Sequence, residues 1–140
     1  TLFPYTTLFR SAIKNCNKVC KYIDLPLQHA NNNILKRMQC QITQEETREL
    51  INTIRNRIPG IAIRTTMLVG FPGETQEDFE DLCLFVQEMQ FDRLGVFQYS
   101  HEDDTAAHKL KDDVDADTKE ERASILMQIQ QEISFQKNEQ

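Results

Sequence analysis

The segment IAIRTTMLVGFPGET, residues 61–75, reads as a strand, a turn and a helix start. Side chains alternate across a strand, so Ile61, Ile63, Thr65, Met67 and Val69 share one face. Ala62, Arg64, Thr66 and Leu68 share the other. A parallel strand covered on both sides is normally apolar on both. Arg64 and Thr66 break that rule two residues apart, so the mostly apolar face is expected to meet helices and the other to face a lumen. An arginine in a lumen requires an anion. Either a carboxylate of the chain, such as Asp24, or a ligand carboxylate would serve. The turn Gly70-Phe71-Pro72-Gly73-Glu74 lets backbone approach a ligand just before a helix N-terminus. It has neither the lysine of a P-loop nor the glycine spacing of a dinucleotide fingerprint.

Upstream, Tyr22–His29 (YIDLPLQH) alternates in the same way, with Ile23, Leu25 and Leu27 on one face. Pro26 removes a ladder donor, which predicts a bulge or a strand end. Asn31-Asn32-Asn33 predicts a turn, and a short helix follows over Ile34–Met38. Thr43 with Glu46 has the capping-box form. Leu50, Ile51, Ile54 and Ile58 then recur at helical spacing until Pro59-Gly60 stops the helix. Downstream of the central segment, Thr75 with Asp78 caps another helix, whose stripe is Phe79, Leu82, Phe85, Val86 and Met89. A third strand is expected over Leu94–Tyr99, and a last helix is expected to open at Thr118 with Glu121 and to bury Ile125, Leu126, Ile129 and Ile133.

Strands alternating with helix-length crossovers specify an α/β fold with parallel strands and right-handed connections. Three such units are too few to close, so the expected architecture is a partial (β/α) barrel of the TIM-like kind, with open strand edges. In such folds chemistry gathers at the carboxyl ends of the strands. Those ends carry Gln28 and His29, then Gly70 to Glu74, then Gln98 to His101. His29 reads either as a base or ligand or as a satisfied structural residue.

Composition bounds the rest. The chain has 140 residues, with 39% hydrophobic and 27% charged, which suits one soluble domain, and no apolar run is long enough to span a membrane. A net charge of −6 argues against direct nucleic-acid binding through phosphate neutralisation. Acid is concentrated from Glu102 to Glu121, expected to be a solvated loop leading into a helix. Cys16, Cys20, Cys40 and Cys83 are expected to be reduced thiols of a cytoplasmic protein, with Cys83 a small buried apolar residue. Cys16 and Cys20 stand in a C-x3-C spacing, but the third thiolate of a C-x3-C-x2-C cluster motif is replaced by Ile23. Thr1 to Ser11 (TLFPYTTLFRS) matches a translated sequencing adapter and is expected to be foreign, leaving residues 12–140 as the natural segment.

Taken in order, YIDLPLQH, Arg64-Thr65-Thr66 with VGFPGET, DRLGVFQYS over Asp92–Ser100, and Lys119-Glu120-Glu121-Arg122 resemble the radical S-adenosylmethionine (SAM) methylthiotransferases. The D-x-P-x-Q-H strand is similar to the RimO-type branch, which modifies an aspartate of a small-subunit ribosomal protein. The MiaB-type branch, which modifies a tRNA adenosine, is the alternative; a non-catalytic SAM-binding half-barrel is another. The resemblance implies that residues 12–140 are the C-terminal part of a radical-SAM barrel domain, inactive alone. It implies SAM and two 4Fe–4S clusters in the complete protein, with cluster ligands outside this chain. It also implies a ribosomal protein or the ribosome as partner, and an electron donor that the sequence does not identify. Gln28, His29, Arg64, Thr66, Gly70, Pro72, Gly73, Glu74 and Tyr99 match family positions near SAM. Gln39, Cys40 and Gln41 depart from the arginine and glycine usual in the family, and Asp104 from its frequent glycine, which puts those local turns in question.

Overall fold

The computed structural model describes residues 21–100 and 113–139. Its elements run β1 (Tyr22–Gln28), α1 (Asn32–Arg37), α2 (Gln44–Arg57), β2 (Ala62–Val69), α3 (Gln76–Met89), β3 (Arg93–Gln98) and α4 (Ala116–Asn138). The three strands form one parallel sheet in the order β1-β2-β3. This is the parallel α/β arrangement expected from the alternation of strands and crossovers. Register slips between Leu25 and Gln28 of β1, around Pro26, whose missing N–H cannot join the ladder.

The helices begin where side chains can satisfy their free N–H groups. Asn31 Oδ1 accepts from the Asn33 and Ile34 amides at 2.9 and 3.2 Å to start α1. Thr43 Oγ1 accepts from the Glu46 amide at 3.2 Å to start α2. Thr75 and Asp78 form a reciprocal box at α3, each side chain accepting from the other's amide at 3.1 Å. The last helix corrects the sequence reading. Its cap is Asp115, whose Oδ1 accepts from the Thr118 amide at 2.7 Å, so α4 starts at Ala116 rather than beyond Thr118. After α1, Gln39 takes a left-handed φ of +61°, and the Cys40 amide donates to Leu35 O at 2.9 Å. That is a glycine-style helix ending built on glutamine, in the segment that departs from the family pattern.

One face of the sheet packs on the helices. Ile23, Ile63, Met67 and Val69 meet Ile51 and Ile54 of α2, Phe79, Leu82 and Phe85 of α3, and Leu126 and Ile133 of α4 in a single core. A smaller cluster joins Ile34, Phe71 and Tyr99 at the carboxyl end of the strands, with Met38 and Leu68 against it. Of the stripe expected on α4, Leu126 and Ile133 are buried, but Ile125 is 37% exposed. Lys119, Arg122 and Gln130 fill the remaining buried positions at helical spacing.

Cys83, on α3, is half-buried against the core. Burial pushes its thiol up from 9.0 to about 11, and the negative charges of Glu74 and Glu80 add to the effect. At neutral pH the thiolate is therefore suppressed about a hundred-fold relative to an ordinary cysteine, and alkylation by iodoacetamide is expected to be slower by a similar factor. Below the ordinary value of 9.0 both folded and unfolded thiols are protonated and the group leaves stability unchanged; as pH rises from 9.0 toward 11 the unfolded thiol ionises first, so stability falls. Alkylation of the folded protein at the rate of an unfolded-peptide thiol would contradict this.

Candidate cofactor-binding site

Three chain segments meet at the carboxyl edge of the sheet: Gln28-His29 after β1, Gly70–Glu74 after β2, and Tyr99 after β3. The Tyr99 amide donates to Val69 O at 2.8 Å, which ties the last two together. Within this edge the residues separate into two groups, one turned inward and one lying on the open face of the sheet.

The inward group is organised by Glu74, whose side chain is fully buried. Its Oε1 accepts from the Gly70 amide at 3.0 Å and from Arg122 Nη1 at 2.7 Å. Its Oε2 lies 2.8 Å from His29 Nε2. The Asn31 amide donates to His29 Nδ1 at 3.0 Å, so Nδ1 carries no proton and Nε2–H must donate to Glu74. Both ring nitrogens are thus occupied, the satisfied structural state that the sequence left open for His29. A buried carboxylate is expensive unless paired and hydrogen-bonded, and this one is both. The Glu74 amide closes the turn on Phe71 O at 2.9 Å. Gly70 and Gly73 adopt φ of +79° and +89°, where a side chain is strained. Pro72 is buried between them. Tyr99 is also turned inward: it is 8% exposed, packs edge-on against Phe71 at 5.3 Å, and has Lys119 Nζ 5.2 Å from its ring centre.

The open-face group is the one set apart by strand parity. Arg64 and Thr66 lie opposite Ile63, Thr65 and Met67, away from the helices. Arg64 Nη1 donates to Asp24 Oδ2 at 3.0 Å, with both side chains substantially solvent-exposed. One of the two anions that the sequence allowed for Arg64, the carboxylate of Asp24, is therefore present on the same open face. In an exposed setting such a pair contributes little stability, and the guanidinium retains donors for a second anion. Gly95 stands opposite Thr66 in the register, and a Cβ there would lie 3.4 Å from Arg64 Nη2 and 4.0 Å from Thr66 Oγ1. Phe97, opposite Leu68, leaves 56% of its surface exposed beside that gap. Gln28, at φ +69°, ends the neighbouring strand with an exposed side chain.

Gly95 and Phe97 were absent from the sequence-derived set. The alternation of LGVFQY would have found them, because Leu94 and Val96 pack on the core and the residues between them must face the other way. Cys16, Cys20 and residues 101–112, including the first part of the acidic run, lie outside the described residues. Among the described residues no group of three or more His, Cys, Asp or Glu side chains is placed to hold a metal, and no helix is long and apolar enough to cross a membrane.

The chain is 51% identical over 140 residues to the ribosomal protein uS12 methylthiotransferase RimO of Flavobacterium johnsoniae, covering all of this chain and 32% of that relative. It is 53% identical over 126 residues to the protein of the same name in Geobacter sulfurreducens, covering 90% of this chain and 28% of the relative. The chain therefore spans about a third of the length of the curated relatives it matches. Among solved structures, the coproporphyrinogen III oxidase HemN of Escherichia coli, described as a radical SAM enzyme, superimposes with a TM-score of 0.63 at 26% identity. That match covers 78% of this chain and 27% of the oxidase. The family model of the radical SAM superfamily matches residues 6–86, spanning β1, β2 and the turn between β2 and α3. The chain belongs to the radical SAM superfamily.

Proposed function

We propose that the complete protein containing this chain is a SAM-dependent methylthiotransferase that adds a methylthio group to an aspartate of ribosomal protein uS12. The observation that carries the reading is identity of 51% with a uS12 methylthiotransferase over all 140 residues of the chain. Residues 12–140 would then be the C-terminal part of the barrel domain, and residues 1–11 a peptide foreign to it; genomic sequence across that junction is the check. The partner would be the ribosomal protein or the ribosome, and the compartment the cytoplasm.

The open face suits SAM by its chemistry. Arg64 supplies a cation for a carboxylate, Thr66 a hydroxyl, and Phe97 an exposed ring for a base. Gly95 leaves the space that a Cβ would fill. When bound, SAM would supply hydrogen abstraction from an unactivated carbon once the reductant, through an iron–sulfur cluster held elsewhere in the complete protein, delivers an electron; a second SAM would supply the methyl group, and the sulfur would come from a second cluster of the complete protein. This chain's own contribution is positional. Arg64 would exchange or share Asp24 with the ligand carboxylate, which holds one end of the cofactor. Gly70 and Gly73 bring backbone to the strand edge, where Gln28 offers an amide. His29 and Glu74 hold that edge from behind without touching the ligand.

The test is the reconstituted complete protein incubated with SAM, a reductant, and either uS12 or tRNA. A methylthio mass gain on uS12 is expected; modification of tRNA alone would overturn the substrate assignment. In the same protein, Arg64→Ala is expected to raise the KM for SAM about ten-fold or more, the worth of one charge-assisted contact. Unchanged SAM affinity and turnover would return Arg64 to pairing with Asp24 only.

A further inference from the structure

We infer that Arg122, on α4, is a positioning residue for the cofactor, acting through Glu74 on the turn after β2. The inference rests on the SAM-binding reading above and concerns a residue on the side of the sheet opposite the open face. Arg122 Nη1 donates both to Glu74 Oε1 at 2.7 Å and to Glu74 O at 3.2 Å, so one nitrogen grips the side chain and the main chain of the same residue. Glu74 in turn receives the Gly70 amide at 3.0 Å and His29 Nε2–H at 2.8 Å. His29 Nδ1 receives the Asn31 amide at 3.0 Å. A continuous line of hydrogen bonds, centred on the Glu74 carboxylate, therefore runs from α4 to the ends of both β1 and β2. It fixes the backbone of the segments that carry Gln28, Gly70 and Gly73.

Stability alone does not account for this arrangement. A buried ion pair is often replaced by apolar residues of similar volume at no cost. The guanidinium is set over the Phe79 ring at 5.6 Å, and its Nε is buried without a hydrogen-bond partner among the described residues. An unmatched buried donor is unfavourable, so the side chain is held in the pose that serves Glu74 rather than in one that satisfies itself. Turn after turn of α4 could have presented leucine to the same core, as it does at Leu126. What leucine cannot do is fix a turn whose two glycines have few intrinsic conformational limits.

The experiment uses the complete, reconstituted protein and SAM as the probe, with Arg122→Met, Arg122→Gln and Arg122→Lys. In Arg122→Met, equilibrium binding of SAM is expected to weaken about ten-fold. Amide hydrogen exchange should accelerate at Asn31, Gly70, Phe71, Gly73 and Glu74 by more than it does at the α2 and α3 core amides, which lose only the protection that the drop in global stability removes. Arg122→Lys, which retains a charged donor, should recover binding to within about three-fold. If Arg122→Met does not fold, Arg122→Gln, which is neutral but keeps a donor, carries the same comparison. A folded Met or Gln variant that binds SAM as the wild type does would overturn the assignment. So would uniform loss of protection across the domain, or a lysine variant no better than methionine. Wild-type protein that binds no SAM would instead sink the proposed function itself, and with it this inference.

Discussion

Glu74→Ala is expected to destabilise the complete protein by about 3–5 kcal/mol, the usual cost of leaving one member of a buried pair without its partner. The change strands the buried Arg122 guanidinium, the Gly70 amide and His29 Nε2–H at once. Glu74→Gln tests the argument more finely. Its amide must present N–H groups toward either His29 or Arg122, both of which already donate. His29 cannot adapt by changing tautomer, because a proton on Nδ1 would face the Asn31 amide hydrogen. The glutamine variant is therefore expected to lose about 1–3 kcal/mol, an intermediate figure, despite its near-identical shape. Urea midpoints of the three proteins, compared at one pH, provide the measurement. A glutamine variant as stable as wild type would mean that His29 does not donate from Nε2.

Gly70→Ala is expected to cost about 2–4 kcal/mol, from two separate causes. A left-handed φ of +79° is unfavourable for any residue with a Cβ, by about 1–2 kcal/mol. The new Cβ would also stand 2.3 Å from Lys119 Cγ, the middle of a buried side chain packed beside Tyr99, and overpacking of that kind costs about 1–3 kcal/mol. Two other glycines separate the causes. Gly60, at φ +82°, has nothing within 4 Å of the same position, so Gly60→Ala should show the backbone cost alone. At Gly73 the obstructing atoms are the guanidinium of the exposed Arg37, 2.6–2.8 Å away, the mobile end of a flexible side chain. The expected order of destabilisation is Gly70, then Gly73, then Gly60. Equal midpoints for the Gly70 and Gly60 variants would remove Lys119 from the account.

Parity along a strand is strict, and for that reason β2 was legible. Ile63, Thr65, Met67 and Val69 are buried and Arg64 and Thr66 are not, as alternation required. The caps at Thr43 and Thr75 were equally legible, because they are local contacts between residues three apart. The cap of α4 was misplaced for a related reason. Asp115 and Thr118 both have capping chemistry, and the pattern of apolar residues beyond them does not discriminate between starts one turn apart.

The site divides along the same line. From the amino-acid order alone came the α/β alternation, the parallel sheet, the open-face positions of Arg64 and Thr66, and the family. All of these rest on local spacing or on runs of matched residues. His29, Glu74 and Tyr99 were also named, but their surroundings were not. Glu74 lies 48 residues from Arg122 and 45 from His29 in the chain, and no periodicity links positions so distant. Only the packing of α4 against the sheet brings an arginine to that carboxylate, and only the resulting burial makes the pair matter. Spacing therefore told which way a side chain points, while tertiary contact decided whether it meets solvent or another part of the protein.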